Sequence, residues 1–113
     1  MLISEFYTAD FILEVDLQSL QIVNNDVSNY HITGNVVNLN VGFYAGDGRF
    51  DGSNLIAENA TAFQRGTNDM IINATQSLTG EIRSTGDVIY CQEPMTLDVE
   101  IIDDRGALIH ACN

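Results

Sequence analysis

Apolar and polar residues alternate one by one along much of this chain, and that alternation restricts its fold more than any other feature. Within residues 11–18 the odd positions are all apolar, and three of the even positions are acidic or amide side chains. Residues 35–44 repeat the pattern, with apolar side chains at Val37, Leu39, Val41 and Phe43. A period of two places one face of a β-strand on a core and the other in water. The sequence therefore predicts an all-β protein.

Clusters of Gly, Asn and Asp divide the alternating segments. Segment 54–63 fits either a strand or a short helix, and we favour a strand because its neighbours are strands and Thr61 and Phe63 suit a sheet. Segments 95–101 and 107–112, joined by the turn at Asp103–Gly106, predict an antiparallel hairpin. About seven strands at spacings of about ten residues predict an antiparallel β-sandwich. We expect residues 1–113 to form a single domain.

The charge of the chain narrows its function. Sixteen acidic residues stand against four arginines and no lysine, which gives a net charge of −12. Phosphate binding needs clustered cations, and these arginines are scattered, so we expect no nucleic-acid partner. No apolar run approaches the ~20 residues of a membrane helix, so we expect no membrane span. The acids are spread from Glu5 to Asp104, which favours a solvated surface over a surface for a basic partner or a phosphate mimic.

The two cysteines, Cys91 and Cys112, predict a structural disulfide if the compartment is oxidising, and two buried free thiols are the alternative. In the predicted hairpin, the chain before one strand lies beside the end of the next, so both thiols reach the same end of the sandwich. The histidines, His31 and His110, stand alone in the sequence. A metal site needs more ligands than one imidazole, so we expect neither a metal nor another cofactor.

Three motifs with known chemistry are better explained by strands and turns. The Asp47–Gly52 segment offers oxygen ligands but lacks the ligand spacing of a calcium loop, and Asp103–Asp104 suits a turn. Asn59–Thr61 and Asn73–Thr75 have the form of N-glycosylation sites but fall in predicted strands. Nucleophilic catalysis needs a nucleophile beside an oriented base, and no motif supplies that pair. We therefore assign no catalytic residue and expect no enzymatic activity.

The start of the chain leaves its compartment open. Residues 1–5 contain no basic segment and no cleavage site, so no signal peptide is visible. The chain is then either a mature secreted or periplasmic domain whose Met1 is not native, or a cytoplasmic or virion protein.

The central part of the chain carries an alternating strand that ends in an aromatic pair and a Gly/Asp turn, followed by a second strand and a glycine turn before a third. The residues concerned are Val37, Leu39, Val41, Phe43, Tyr44, Asp47, Gly48, Phe63–Gly66 and Met70–Ile72. With the terminal hairpin, this arrangement resembles immunoglobulin-like and fibronectin type III-like β-sandwich modules of bacterial exported and envelope proteins, over about residues 35–110. The resemblance implies a binding or assembly module and transfers no site residue.

The leading hypothesis is a non-catalytic protein-interaction module, secreted or in the envelope, with a host-directed, receptor-like role as one option. Its partner is unidentified and includes a second copy of itself, because sandwiches with open edges pair through edge strands or exchanged strands. The candidate exchange segment carries Phe11, Leu13, Val15 and Leu17.

Two further hypotheses stay open. One is a phage or viral protein, either structural or an acidic inhibitor of a basic host complex. The other is a carbohydrate- or ion-binding module that uses Tyr30, Tyr44 or Tyr90 with nearby Asn and Asp side chains.

Overall fold

The computed structural model describes residues 2–5, 10–24, 28–44, 46–102 and 106–111. All regular structure in these ranges is β-strand, which confirms the all-β expectation, and the described part of the chain holds no helix able to cross a bilayer. The strands are β1 (Leu2–Glu5), β2 (Asp10–Asn24), β3 (Asn29–Phe43), β4 (Arg49–Gln64), β5 (Met70–Ile82), β6 (Val88–Tyr90), β7 (Thr96–Ile101) and β8 (Leu108–His110).

Every strand pair in this sheet is parallel. The order β1-β2-β3-β4-β5-β6-β8 follows the chain, and β7 pairs with β5 further along that strand. Partner residues are separated by 17 positions (Ile56 and Asn73) to 21 positions (Phe43 and Gln64). Each stretch of about this length therefore winds once and lies on the previous one. The fold is a β-solenoid of about five turns.

The long strands bend around the core. A straight strand of the 16 residues of β4 would be about 50 Å long, whereas the longest principal dimension of the molecule is 28 Å. The alternation of buried and exposed residues is interrupted where Glu58 and Asn59 are both exposed, and again at Gln18 and Ser19 in β2. Two successive outward side chains mark a corner, because an uninterrupted strand alternates its faces.

Two strand glycines allow neighbouring turns to approach closely. Gly34 and Gly80 have φ angles of 114° and 141°, in a region that L side chains rarely adopt. A Cβ atom would lie 1.9 Å from the carbonyl oxygen of Val15 at Gly34, and 1.7 Å from that of Ala62 at Gly80. Any other residue at these positions would clash with the backbone of the preceding turn.

The core consists of ladders of inward side chains, one residue from each turn. One ladder begins with the stacked rings of Phe11 and Tyr30, whose centroids are 5.0 Å apart. The ladders run through Phe11, Tyr30, Phe50, Met70, Val88 and Leu108, and through Leu20, Leu39, Ala60, Leu78 and Leu97. Residues of the middle turns are fully buried because they have a neighbour on both sides.

The predicted antiparallel sandwich is wrong, and so is the resemblance to immunoglobulin-like and fibronectin type III-like modules over residues 35–110. A period of two is the same in parallel and antiparallel strands that have one buried face, so alternation does not report strand direction. The terminal hairpin at Asp103–Gly106 is also wrong, because β8 pairs in parallel with β6 and β7 with β5.

Details of the strand assignment show where local patterns succeeded. Segment 54–63 lies inside β4, which confirms the preference for a strand. The Asp51–Ser53 segment, interpreted as a loop, is also part of β4. Leu39, Val41 and Phe43 are buried as predicted, whereas Val36 rather than Val37 faces the core. The strand turns a corner after Val36, and this shifts the alternation by one residue.

Candidate functional site

One outer side of the solenoid presents columns of uncharged polar side chains. The register aligns these residues across successive turns, so that equivalent side chains stand about 4.8 Å apart. The first column contains Ser19, Asn38, Asn59, Ser77 and Thr96, and the second contains Gln21, Asn40, Thr61, Thr79 and Asp98. We call the first four residues of both columns the amide face. Its residues in β2, β3 and β4 are exposed, and Ser77 and Thr79 are half-buried.

Hydrogen bonds between turns fix the first column. The Nδ2 atom of Asn59 donates to Oδ1 of Asn38 at 3.4 Å, and the hydroxyl of Ser77 donates to Oδ1 of Asn59 at 2.9 Å. These contacts orient the amide groups relative to one another before any ligand arrives. A preorganised set of polar groups loses less side-chain entropy on binding than mobile ones do.

An aromatic row borders the amide face. The ring of Tyr44 covers Gly42, where a Cβ would lie 2.8 Å from it, and is 5.0 Å from the ring of Phe63. The guanidinium of Arg83 lies 6.0 Å from the Phe63 centroid and donates a hydrogen bond of 2.6 Å to Glu81. Tyr44 is 44% exposed. This row therefore offers an open aromatic surface next to the polar columns.

A second polar cluster lies on a different side, on the first segments of β3 and β4. Nδ1 of His31 is 3.1 Å from Oδ2 of Asp51, and Arg49 reaches the same oxygen at 3.9 Å. The backbone N–H and hydroxyl of Ser53 donate to the other carboxylate oxygen at 3.1 and 2.8 Å. Burial raises the pKa of Asp51, but the hydrogen bonds from Ser53 and the contact with His31 outweigh it and hold that pKa below its usual value.

This cluster contains a serine, a histidine and an aspartate, yet their connections differ from those of a nucleophilic triad. In a triad the imidazole lies between the hydroxyl and the carboxylate, so that it can take the hydroxyl proton. Here Asp51 lies between Ser53 and His31, and the hydroxyl donates to the carboxylate. The arrangement stabilises the corner of β4 and does not activate Ser53 as a nucleophile.

A shallow depression of about 250 Å³ adjoins this cluster. Its wall combines the ion pair of His31 and Asp51 with Asn29, which donates a hydrogen bond of 3.1 Å to Asp10. Each polar group in this wall already has a partner on the protein. We therefore place the candidate site on the amide face, where polar atoms are exposed in a repeating array.

The structure separates the tyrosines that the sequence suggested for ligand binding. Tyr30 is only 2% exposed and belongs to the core, so its use on a surface is wrong. Tyr90 is half-buried and stacks on His110 at 4.6 Å. Tyr44 alone of the three borders the amide face. Asn38 and Asn40 were recognised as outward residues, but their alignment with Asn59 and Thr61 was missed.

The remaining sequence candidates have other positions. The exchange-segment residues are half-buried on the inward side of β2, which pairs with β3: Phe11, Leu13, Val15 and Leu17. Cys91 directly follows β6 and is not a free thiol, whereas Cys112 lies outside the described residues, so their pairing stays a prediction. Asp103–Asp104 also lies outside them.

The two glycosylation-like motifs differ in accessibility. Asn59 is exposed on the amide face, whereas Asn73 is half-buried and its amide nitrogen donates to the carbonyl oxygen of Ser53 at 3.1 Å. The Asp47–Gly52 segment is divided between a turn and β4, so its oxygens are not gathered around one point.

Comparison with known proteins adds a family. Residues 7–94 match the model of the family described as "Putative auto-transporter adhesin, head GIN domain". The chain belongs to this family. The matched part of this head GIN domain includes all of β2 to β6 and therefore the first four turns of the amide face. The chain has no match among curated proteins or among solved structures.

Proposed function

We propose that this head GIN domain is a non-catalytic adhesion module, extracellular or in the cell envelope, that holds its partner on the amide face. Its family description as an auto-transporter adhesin supports the class of function. The observation that carries the proposal is the rigid, uncharged array that starts at Ser19 and Gln21 and ends at Ser77 and Thr79, on a chain whose net charge is −12.

The surroundings of this array support binding rather than catalysis. Its polar groups are amides and aliphatic hydroxyls, which have neither the basicity nor the nucleophilicity of a catalytic group unless an oriented base activates them. The described histidines, His31 and His110, lie in columns that contain no amide-face residue. A flat array on a stiff solenoid can instead present many weak contacts at fixed spacings.

Self-association is a separate part of the proposal. Among the described residues, β1 pairs only with Gln21–Asn24, so no described strand covers the outer edge of β2 from Asp10 to Leu20. An open edge can accept a strand from a second copy. Sedimentation at several concentrations tests this, with Ile12→Lys, a change at an outward residue that is 79% exposed, as the variant that should weaken a dimer. A monomer at every concentration would remove the dimer and leave the adhesion proposal intact.

Adhesion is tested with beads coated with the purified chain and counted on cultured epithelial cells and on mucin-coated glass. We expect more adherence than for albumin-coated beads, and we expect Asn59→Arg to reduce it at least fivefold because the longer, charged side chain disrupts the array.

Asn54→Arg is the matched control, since Asn54 is also an exposed amide of β4 and lies outside the amide face. Both variants change the charge equally, and both must retain the melting temperature of the parent. Equal losses in the two variants would move the binding site away from the amide face. Beads that adhere no better than albumin beads would contradict the proposed function.

A further inference from the structure

We propose that the ligand of the amide face is an uncharged glycan whose sugar ring stacks on Tyr44 while its hydroxyls bond to the amide columns; this inference rests on the proposed function and names the ligand class.

The distribution of charge selects an uncharged ligand. The chain has sixteen acidic residues, yet the amide face has none, and its aromatic border holds one, Glu81, which pairs with Arg83 at 2.6 Å. Acids return only in the next turn, at Asp98 and Glu100. A basic protein would gain little from the neutral columns, and an anionic ligand would be repelled by the surrounding charge of −12.

The hydrogen-bonding groups match sugar hydroxyls. Each hydroxyl of a sugar can donate one hydrogen bond and accept others, and an Asn side chain offers both functions on a single planar group. In the first column, Asn59 accepts from Ser77 and donates to Asn38, which leaves the second N–H of the Asn59 amide for a ligand. Asn40 and Thr61 stand beside one another in the second column. The four turns thus offer rows of donors and acceptors over a length of about 15 Å.

The aromatic row supplies the apolar part of sugar recognition. The ring of Tyr44 is held against Gly42 and Phe63 and is 44% exposed. The electron-rich face of an aromatic ring attracts the polarised C–H groups on one side of a sugar ring. Alternate residues of a strand are about 6.6 Å apart, so a sugar on Tyr44 lies next to the second column. Gly42 is required beneath the tyrosine, because a Cβ there would displace the ring.

A folded protein partner fits this face less well. Protein interfaces depend on apolar and aromatic anchors near their centre, surrounded by a polar rim. The amide face has the opposite arrangement, since its two columns contain no apolar side chain and the rings of Tyr44 and Phe63 lie at its border. We therefore commit to a glycan and treat a protein partner as an outcome of the test.

The test uses the chain displayed as a tetramer on streptavidin, because multivalent display raises the avidity of weak sites. The probe is an array of neutral oligosaccharides ending in galactose, glucose, mannose or N-acetylglucosamine, each neutral galactoside paired with its sialylated form. We expect binding to a subset of neutral glycans and at least tenfold weaker binding to their sialylated partners.

Variants locate the contact. Tyr44→Ala should reduce glycan binding about five- to tenfold, and Tyr44→Phe, which keeps the ring, should retain most of it. Asn59→Ala should reduce binding severalfold, whereas Asn54→Ala, on another side of β4, should leave it unchanged. Loss of binding in Tyr44→Phe equal to that in Tyr44→Ala would overturn stacking as the mode of recognition.

Periodate oxidation of the cell surface, which destroys sugar diols, separates this inference from the proposed function. Adherence of coated beads that is lost after oxidation supports a glycan even if the array holds no matching one. Adherence that survives oxidation, with no array binding, keeps the adhesion module and overturns the glycan in favour of a protein partner. Stronger binding to sialylated forms also overturns it. Absence of both adherence and array binding overturns both proposals.

Discussion

The amide nitrogen of Gly86 donates a hydrogen bond of 3.0 Å to the carbonyl oxygen of Gly66, one turn earlier in the solenoid. A Cβ at Gly86 would lie 2.7 Å from that oxygen and 2.5 Å from the carbonyl oxygen of Asn68. Gly106 has the same relation to Gly86, with its Cβ position 2.7 Å from the Gly86 oxygen. Glycine therefore stacks on glycine at the turn that separates successive windings of the chain.

Gly86→Ala should destabilise the fold by about 1–3 kcal/mol, because the added methyl group must push apart two backbone segments that have no room to separate. The free energy of unfolding in urea measures this. Thr85→Ala, at the exposed neighbouring residue, is the control and should change stability by less than about 0.5 kcal/mol. A Gly86→Ala variant as stable as the parent would show that the stacked turns are looser than described.

Gln64 is fully buried and holds the same turns together. Its Nε2 donates to the carbonyl oxygens of Asn68 at 2.8 Å and Asp87 at 3.2 Å, and its Oε1 accepts from the N–H of Gly66 at 3.1 Å. Gln64→Leu leaves these backbone groups without the side chain, which should cost about 2–4 kcal/mol in unfolding free energy. Gln76→Leu, at an exposed residue, should be nearly neutral. Similar effects of the two changes would rule out this role for Gln64.

Stability should fall in acid through Asp51. Its folded-state pKa is depressed, so the stabilisation by the ionised carboxylate is present above the ordinary value of 3.8 and is lost as the pH falls through the lower folded pKa. Parent and Asp51→Asn should therefore differ most at neutral pH and converge below about pH 4. Unfolding in urea from pH 7 to pH 2 measures the difference. Ser53→Ala should reduce it partly, and a difference that does not change with pH would contradict the assignment.

The melting temperature should rise by several degrees between about 10 mM and 150 mM salt, because salt screens repulsion among unpaired acids. Among the described acids, only Asp51 and Glu81 form ion pairs with cations. Sodium chloride and potassium chloride should act alike in a thermal scan, since screening does not depend on the cation. A flat or falling profile would mean that the acids lie too far apart to repel each other appreciably.

The disulfide between Cys91 and Cys112 remains a prediction, but the fold gives it a different basis. Tyr90 is paired with His110, and the N–H of Ala111 donates to the carbonyl oxygen of Tyr90 at 3.2 Å, so the chain just before Cys112 passes beside Cys91. Non-reducing mass spectrometry should show a chain lighter by two hydrogen atoms, and reduction should cost about 3 kcal/mol of stability. Two thiols that react with a labelling reagent in unreduced, denatured protein would refute the pairing.

The turn glycines show what the sequence contained and what its interpretation missed. Gly46, Gly66, Gly86 and Gly106 recur at intervals of 20 residues. Such a period is the signature of a repeat fold, and it would have predicted that each turn stacks on the one before. The turns between these glycines vary by one or two residues, as the register shift between Asp51 and Ile56 shows, so the repeat is not visible as matching sequence.

The amide face was only partly predictable for the same reason. Alternation places Asn38 outward on β3 and Asn59 outward on β4, but nothing within either segment indicates that the two are neighbours. Their contact depends on a register of 21 residues that the corners and turns set. Tyr44 was recognised as an exposed aromatic residue, while its place beside Phe63 required the stacked turns.

The sequence by itself determined that the protein is all β and, apart from shifts at corners such as Val36, which side chains enter the core. Both properties are local, because burial of apolar groups at every second residue stabilises a strand whichever strand lies beside it. Only the tertiary structure decided that the strands are parallel and which residues share the amide face. The backbone groups that pair strands are the same in every residue, so the partner of each strand is the segment that the bends and glycine turns bring back beside it, one winding later.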